Sequence, residues 1–187
     1  MPSLSEQLEE LELLTRTMQD HLPAVEQAAA LILSALKNGN KVLACGNGGS
    51  ASDAMHLVEE LVGRYRADRV ALPAIALVAD PTVMSCIAND WGYQDVFSRQ
   101  VEAHAQQGDV LVGFSTSGNS PSVVHALNAA KVRGVKTIGL LGKSGGTCHE
   151  VADLSIIVPH ENTARIQEIH TWILHVFLET VEEGYTS

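Results

Sequence analysis

Short apolar runs alternate with stretches of helical periodicity along most of this chain. Before the first run, apolar side chains recur every three or four positions over residues 4–19 and again from about 23 to 36. This spacing predicts two amphipathic helices. Short apolar runs bounded by Gly, Asn, Ser or Pro then predict five strands, at 41–45, 74–78, 110–114, 136–141 and 152–158.

Helical spacing returns between and after these strands. It covers 51–66, much of 81–107 with a break near 89–93, 121–130 and 163–183. The alternation predicts an α/β fold, a three-layer αβα sandwich with a five-stranded parallel sheet and right-handed crossovers. The two extra N-terminal helices exceed what three layers need. We therefore expect one domain over residues 1–187, with a helical extension over about 1–38 that packs against another copy of the chain.

Composition narrows the function classes. The chain has 187 residues, of which 45% are hydrophobic, and a formal charge of -10. This charge opposes binding to nucleic acid, which depends on cations that neutralise phosphates. The N-terminal region is acidic and no segment is apolar for long enough to cross a bilayer, so we expect a cytoplasmic protein without membrane contact. The three cysteines lack CxxC spacing, which predicts reduced thiols and not a disulfide framework.

A hydroxyl-rich loop follows the strand that begins at Val110. After the apolar run come Ser115, Thr116, Ser117 and Ser120, and Pro121 then opens a helix. The N-terminus of a helix offers free N–H groups and a partial positive charge, and the hydroxyls add donors, so a phosphate monoester would fit here. A serine-rich turn with an N-cap explains the same residues, and this alternative stays open.

A second polar loop, GNGGSAS, follows the first strand. Gly46, Gly48 and Ala51 match the loose dinucleotide pattern G-x-G-x-x-G/A, so a Rossmann domain has to be considered. That fold needs an acidic residue at the end of the next strand about 20 residues later, whereas Asp80 comes much later. We therefore expect two polar loops at the carboxyl ends of two strands, the usual ligand edge of an open α/β sheet.

Ligand-type side chains recur on two of the predicted helices. Gln167, Thr171 and His175 share one helix face, and His56 and Glu60 are four residues apart on another. Such pairs fit a metal site or an acid/base pair, although each histidine alone is more often structural. From spacing alone, Asn89 and Asp90 indicate an ordinary helix end.

Four segments together resemble the sugar isomerase (SIS) domain family. They are CGNGGSASDAMHLVEEL, IANDWGYQDVFSRQVEA, STSGNS, and TARIQEIH with the following His175. The resemblance extends from about residue 31 to 175. STSGNS and the glycine loop are typical of the whole superfamily, whereas the set His56, Glu60, Gln167 and His175 is similar to the branch that isomerises sedoheptulose 7-phosphate.

The resemblance implies an SIS fold and an aldose–ketose isomerase that makes D-glycero-D-manno-heptose 7-phosphate from sedoheptulose 7-phosphate. It also implies a homotetramer with zinc, one ion per subunit. Glu60 and His175 match the catalytic positions, and His56, Glu60, Gln167 and His175 match the zinc ligands. The positions that match substrate contacts are Asn47, Gly48, Gly49, Glu60, Asn89, Asp90, Ser115, Thr116, Ser117, Ser120 and Gln167. Ala164 departs from the acidic residue of some heptose isomerases, which puts a role for that carboxylate in doubt.

Helix geometry adds one expectation about the assembly. Gln167 and His175 are eight residues apart, about 12 Å along a helix, so one chain would not bring both to the same ion. We therefore expect active sites shared between subunits. Two other interpretations remain: a non-catalytic SIS protein similar to the replication-initiator-associating protein, and a regulatory sugar-phosphate-binding module.

Overall fold

A parallel sheet of five strands lies at the centre of this computed structural model, which describes residues 2–186. The strand order is β2-β1-β3-β4-β5, and each neighbouring pair is parallel. The predicted α/β sandwich is confirmed. The strands are β1 (Val42–Gly46), β2 (Ala74–Ala76), β3 (Val110–Ser115), β4 (Lys136–Gly142) and β5 (Leu154–Val158).

Helices cover both faces of the sheet, and two of them precede β1 as predicted. In chain order they are α1 (Leu4–Thr17), α2 (Leu22–Lys37), α3 (Gly49–Val62), α4 (Pro81–Trp91), α5 (Ser98–His104), α6 (Pro121–Val132), α7 (Gly146–Val151) and α8 (Thr163–Thr186).

Local chemistry explains where several helices begin. The Ser3 hydroxyl accepts from the Glu6 amide at 3.2 Å, and the Glu6 carboxylate accepts from the Ser3 amide at 2.6 Å, which is a capping box. Asp80 caps α4 through two backbone amides. Proline occupies the first turn of α2, α4 and α6, where its missing N–H costs nothing.

Some predicted boundaries were wrong. The edge strand β2 is two residues shorter than predicted, because the Ala79 amide turns back to the carbonyl of Ala76. β5 begins at Leu154 and not at 152. The predicted break near 89–93 is confirmed, because α4 ends at Trp91 and Gly92 has a φ of 95° before α5 begins at Ser98. The short helix α7 was not predicted.

The side chains of each strand alternate between the two faces of the sheet, so the core has two layers. Val42 and Ala44 of β1 pack into the layer that contains α2, α3 and α8. Leu43 and Cys45 of the same strand pack into the layer that contains α5 and α6. Successive strand residues point to opposite faces, so a strand covered on both sides is apolar throughout.

The chain changes direction across the sheet between β1 and β3. After β1 it passes through α3 on one face to β2, and after β3 it passes through α6 on the other face to β4. The loops that follow β1 and β3 therefore diverge and leave a crevice between them. This is the topological switch point, where open α/β sheets bind ligands.

The N-terminal helix leaves apolar side chains in solvent. Leu4, Leu8 and Leu13 of α1 are 86%, 68% and 68% exposed, whereas Leu14 is buried. The helix therefore covers apolar surface on one side only. Its contact with another copy of the chain stays a prediction.

Candidate active site

The loop that follows β3 forms a cup of hydroxyl groups at the switch point. The Ser115 hydroxyl lies 3.2 Å from that of Ser120 and 3.5 Å from that of Ser117. The Ser117 hydroxyl also accepts from the Asn119 amide at 3.1 Å. No side-chain hydrogen bond caps α6, so the loop and the helix N-terminus together offer donors to an anion.

The cup is held from outside by the segment that leads into α7. Gly118 has a φ of 66°, and a side chain there would overlap the carbonyl of Gly145. The Cys148 amide donates to the Gly118 carbonyl at 2.8 Å, and the amide of Thr147 donates to the Asn119 side chain at 3.0 Å. Glycine is required at this position because its backbone is left-handed and the backbone of Gly145 is close.

The loop that follows β1 is the second wall of the crevice. Gly48 has a φ of 58°, and the side-chain amide of Gln167 packs on Gly49 so closely that any side chain at Gly49 would overlap it. Asn47 reaches across to the other wall, where its amide nitrogen donates to the hydroxyl of Ser122 at 2.9 Å.

Helices α3 and α8 pack with their residues in matching order along the interface. Gly49 meets Gln167, the Thr171 hydroxyl donates to Asp53 Oδ1 at 3.0 Å, and the ring of His56 meets that of His175. These contacts repeat about once every helical turn. The helix face predicted at Gln167, Thr171 and His175 therefore lies against α3.

An imidazole and carboxylate cluster lies at the far end of this interface. His56 Nε2 is 3.6 Å from Glu60 Oε1, and the rings of His56 and His175 are 5.0 Å apart at 80°. Ligand atoms of His56, Glu59 and Glu60 all lie within 4.8 Å of one another. Burial, and then the neighbouring His56, lower the pKa of His175, while Glu60 acts in the opposite direction.

The donor chemistry of this cluster suits zinc. Imidazole nitrogens and carboxylate oxygens are its common ligands, and His56, Glu60 and His175 supply both from one chain. Gln167 lies against Gly49, two helical turns from His175, so it does not belong to the cluster within one chain. The sequence pattern did not single out Glu59, although the i, i+1 and i, i+3 spacing on one helix was visible.

A residue just after α3 also contacts the ring of His175. The Tyr65 ring stacks on the His175 ring with centroids 5.8 Å apart. Glu179 accepts from the Tyr65 hydroxyl at 3.4 Å and pairs with Arg66 at 2.8 Å. The sequence did not reveal this support, because Tyr65 lies just beyond α3 and its partners lie more than 100 positions along the chain.

Asp53 is a buried carboxyl between the two ends of the interface. Its Oδ1 accepts from Thr171, whereas Oδ2 is buried and lacks a hydrogen-bond partner. Burial raises the pKa of this carboxyl despite the Thr171 hydrogen bond. The sequence had no signal for this role beyond one more acidic residue on α3.

Asn89 and Asp90 are exposed in the last turn of α4, where the Asn89 amide donates to Asp90 Oδ1 at 2.8 Å. The segment just after them reaches the crevice, because the Tyr93 hydroxyl donates to Asn47 Oδ1 at 2.8 Å. The structure thus places the candidate residues in three groups: the two crevice loops with Gln167, the cluster on α3 and α8, and the end of α4. In the described part of the chain, no helix has the length and apolarity needed to cross a membrane.

Comparisons with known proteins agree with this arrangement. The sequence model described as "SIS domain" matches residues 8–142. A phosphoheptose isomerase from Citrifermentans bemidjiense is 53% identical over 171 residues, which is 91% of this chain and 89% of that protein. One from Vibrio cholerae is 50% identical over 182 residues, which is 96% of this chain and 95% of that protein.

The fold is also similar to that of a solved structure. The structure of a phosphoheptose isomerase from Neisseria gonorrhoeae superposes with a TM-score of 0.91 and 40% identity, covering 96% of this chain and 97% of that one. The likeness therefore includes the C-terminal helix that carries Gln167 and His175, beyond the end of the family match. This chain belongs to the SIS domain family and, within it, to the phosphoheptose isomerases.

Proposed function

We propose that this protein isomerises sedoheptulose 7-phosphate to D-glycero-D-manno-heptose 7-phosphate, the first step towards ADP-heptose precursors. The observation that carries the proposal is the contact of Glu60, His56 and His175 in one chain that also has a phosphate-compatible hydroxyl cup. Relatives at about half identity that are named phosphoheptose isomerase support the same activity. The whole chain, residues 1–187, would act as a single SIS domain.

The hydroxyl cup would hold the phosphate of the substrate. The loop that contains Ser115, Thr116, Ser117 and Ser120 leads directly into α6. A dianion bound there would gain hydroxyl donors and the helix dipole. Binding at the remote phosphate fixes C1 and C2 of the sugar relative to the base. The loop residues Asn47, Gly48 and Gly49, together with Gln167, Asn89 and Asp90, would contact the sugar itself.

Proton transfer would be divided between a carboxylate and an imidazole. Glu60 takes the proton from C1 of the ketose, and the electron pair moves to give an enediolate across C1 and C2. Glu60 then returns the proton to C2, which completes the aldose. His175 carries protons to and from the O1 and O2 oxygens, because an imidazole exchanges protons near neutral pH.

The same cluster would hold zinc through His56, Glu60 and His175, with Gln167 as a fourth ligand only if it comes from another chain. Zinc would polarise the sugar oxygens as a Lewis acid. The separation of Gln167 from the cluster supports active sites shared between subunits. The resemblance to the sugar isomerases further implies a homotetramer with one ion per subunit. A phosphorylated sugar does not cross membranes unaided, which supports a cytoplasmic enzyme.

Incubation with sedoheptulose 7-phosphate in D2O tests the proposal. We expect aldose phosphate with deuterium at C2 by NMR, because the transferred proton exchanges with solvent on the base. Neither product nor exchange, from folded protein supplied with zinc, would contradict the proposal and favour a sugar-phosphate-binding protein.

A further inference from the structure

The side chain of Asn47 joins three segments that border the crevice. Its amide nitrogen donates to the hydroxyl of Ser122 at 2.9 Å, and its oxygen accepts from the hydroxyl of Tyr93 at 2.8 Å. Asn47 belongs to the β1 loop, Ser122 to the first turn of α6, and Tyr93 to the turn that follows α4. Both ends of the carboxamide are therefore engaged by protein groups.

Tyr93 begins the exposed turn that follows α4. Its side chain is 55% exposed, and it follows Gly92, whose φ of 95° turns the chain out of α4. By contrast, Ser122 is only 2% exposed, so it is a fixed point on the phosphate side of the crevice. The hydrogen bonds of Asn47 thus link this exposed turn to the buried start of α6.

The turn that carries Tyr93 is also attached at its other end. Asp95 Oδ1 lies 2.9 Å from His125 Nδ1 on α6 and 3.3 Å from the Ser98 hydroxyl. Asn89 and Asp90 directly precede this turn. The end of α4 is therefore followed by a turn with two polar attachments, one to the β1 loop and one to α6.

A cavity of about 300 Å³ lies beside these contacts. Its lining residues are Asn47, Tyr93, Gln94, Ser120, Pro121 and Ser122. It connects a hydroxyl of the phosphate cup, Ser120, to the ring of Tyr93. A sugar phosphate seated in the cup would therefore extend past the Tyr93–Asn47 contact.

We propose that Tyr93 is a positioning residue of the isomerase, which holds Asn89 and Asp90 over the sugar by its hydrogen bond to Asn47. This inference rests on the proposed function. Tyr93 acts through Asn47 and takes no part in proton transfer. Loss of its hydroxyl would therefore weaken sugar binding and leave the phosphate cup, which is built from the β3 loop and α6, intact.

Tyr93→Phe with Tyr185→Phe as the matched control tests this role. Tyr185 lies at the end of α8 against Lys37, far from the crevice. One hydrogen bond is worth about a 3- to 10-fold change, and we expect a rise of that size in the KM for sedoheptulose 7-phosphate in Tyr93→Phe, with a smaller change in kcat. The inhibition constant of inorganic phosphate should stay within about twofold, and the control should match the wild type.

Ser122→Ala tests the other end of the carboxamide. Because both bonds act through Asn47, the KM effects of Tyr93→Phe and Ser122→Ala should be less than additive in the double variant. Additive effects, or an unchanged KM in Tyr93→Phe, would overturn the proposal. Parallel rises in the KM and in the phosphate inhibition constant would indicate general loosening of the crevice and would also overturn it.

Hydrogen exchange separates this inference from the proposed function, because it needs no turnover. In Tyr93→Phe, amide exchange should rise in 89–97 and 47–51 and remain unchanged in α8. If the wild type proves inactive, faster exchange in those two segments alone still supports the attachment, whereas unchanged exchange there contradicts it whether or not the wild type is active.

Discussion

Glu60 is the residue on which the proposed chemistry most depends. Its carboxylate is the nearest acidic group to His56 and belongs to the cluster with His175. We predict that Glu60→Gln lowers kcat by about 100-fold or more, since a positioned base contributes a factor of that order. Glu102→Gln, an exposed change on α5, should leave turnover unchanged. Near-normal turnover in Glu60→Gln, measured in the NMR assay, would falsify the assignment of the base.

We predict that the hydrogen bond from Thr171 to Asp53 stabilises the fold. Its hydroxyl lies 3.0 Å from two acceptors, the Gln167 carbonyl and Asp53 Oδ1, and shares its hydrogen between them. Thr171→Val removes the remaining partner of a buried carboxyl, which costs about 1–3 kcal/mol of unfolding free energy. Thr180 makes the same kind of bond to the Val176 carbonyl, also at 3.0 Å, without an acidic partner.

Thr180→Val is therefore the control for the loss of the helical bond alone. Urea unfolding of both variants should give a clearly larger loss for Thr171→Val. Equal losses would show that the Asp53 contact contributes little.

At the level of elements, β4 and α8 are joined by a buried histidine. His170 is fully buried, its Nε2 lies 3.2 Å from the carbonyl of Leu141, and Nδ1 lacks a partner. A neutral ring that donates from Nε2 fits these contacts. Burial lowers the pKa of His170 from 6.5 to about 4, although the hydrogen bond to Leu141 raises it.

This pKa shift predicts acid sensitivity. Below pH 6.5 the unfolded chain takes up a proton at His170 that the folded chain does not accept until about pH 4. Stability should thus be complete above pH 6.5 and fall by about 3 kcal/mol as the pH drops towards 4. His170→Gln should remove that part of the dependence. Identical pH profiles of the unfolding free energy for variant and wild type would contradict the prediction.

The helices and strands also show which features of the fold can be predicted from the sequence. β1 and β3 were predictable because strands buried on both faces are continuously apolar, and the polar loops after them mark the ligand edge. Helix α7 was missed because it has only six residues and begins at a glycine pair. The Tyr93–Asn47 bond joins residues 46 positions apart, and no local pattern indicates such a contact. The i, i+4 faces at His56 and at His175 were visible from spacing, whereas the expectation that they meet came only from the resemblance to the SIS family.

For the whole molecule, the question is how Gln167 reaches the cluster that contains Glu60. Within one chain Gln167 packs on Gly49 at one end of the α3–α8 interface, whereas His56 and His175 meet at the other end. A helix keeps these ends apart by its rise per residue. A site that uses both groups would therefore combine two chains.

Mixed oligomers provide the test of that arrangement. A Glu60→Gln chain and a Gln167→Ala chain are each expected to be impaired alone. If Gln167 of one chain completes the cluster of another, then about a quarter of the sites in an equal mixture carry both wild-type residues, and activity returns towards that fraction. Mixing Glu60→Gln with His175→Gln is the control, because both groups belong to the cluster of a single chain and no mixed site regains both. Activity restored in neither mixture, with mixed oligomers verified by mass spectrometry, would mean that each chain works with its own Gln167.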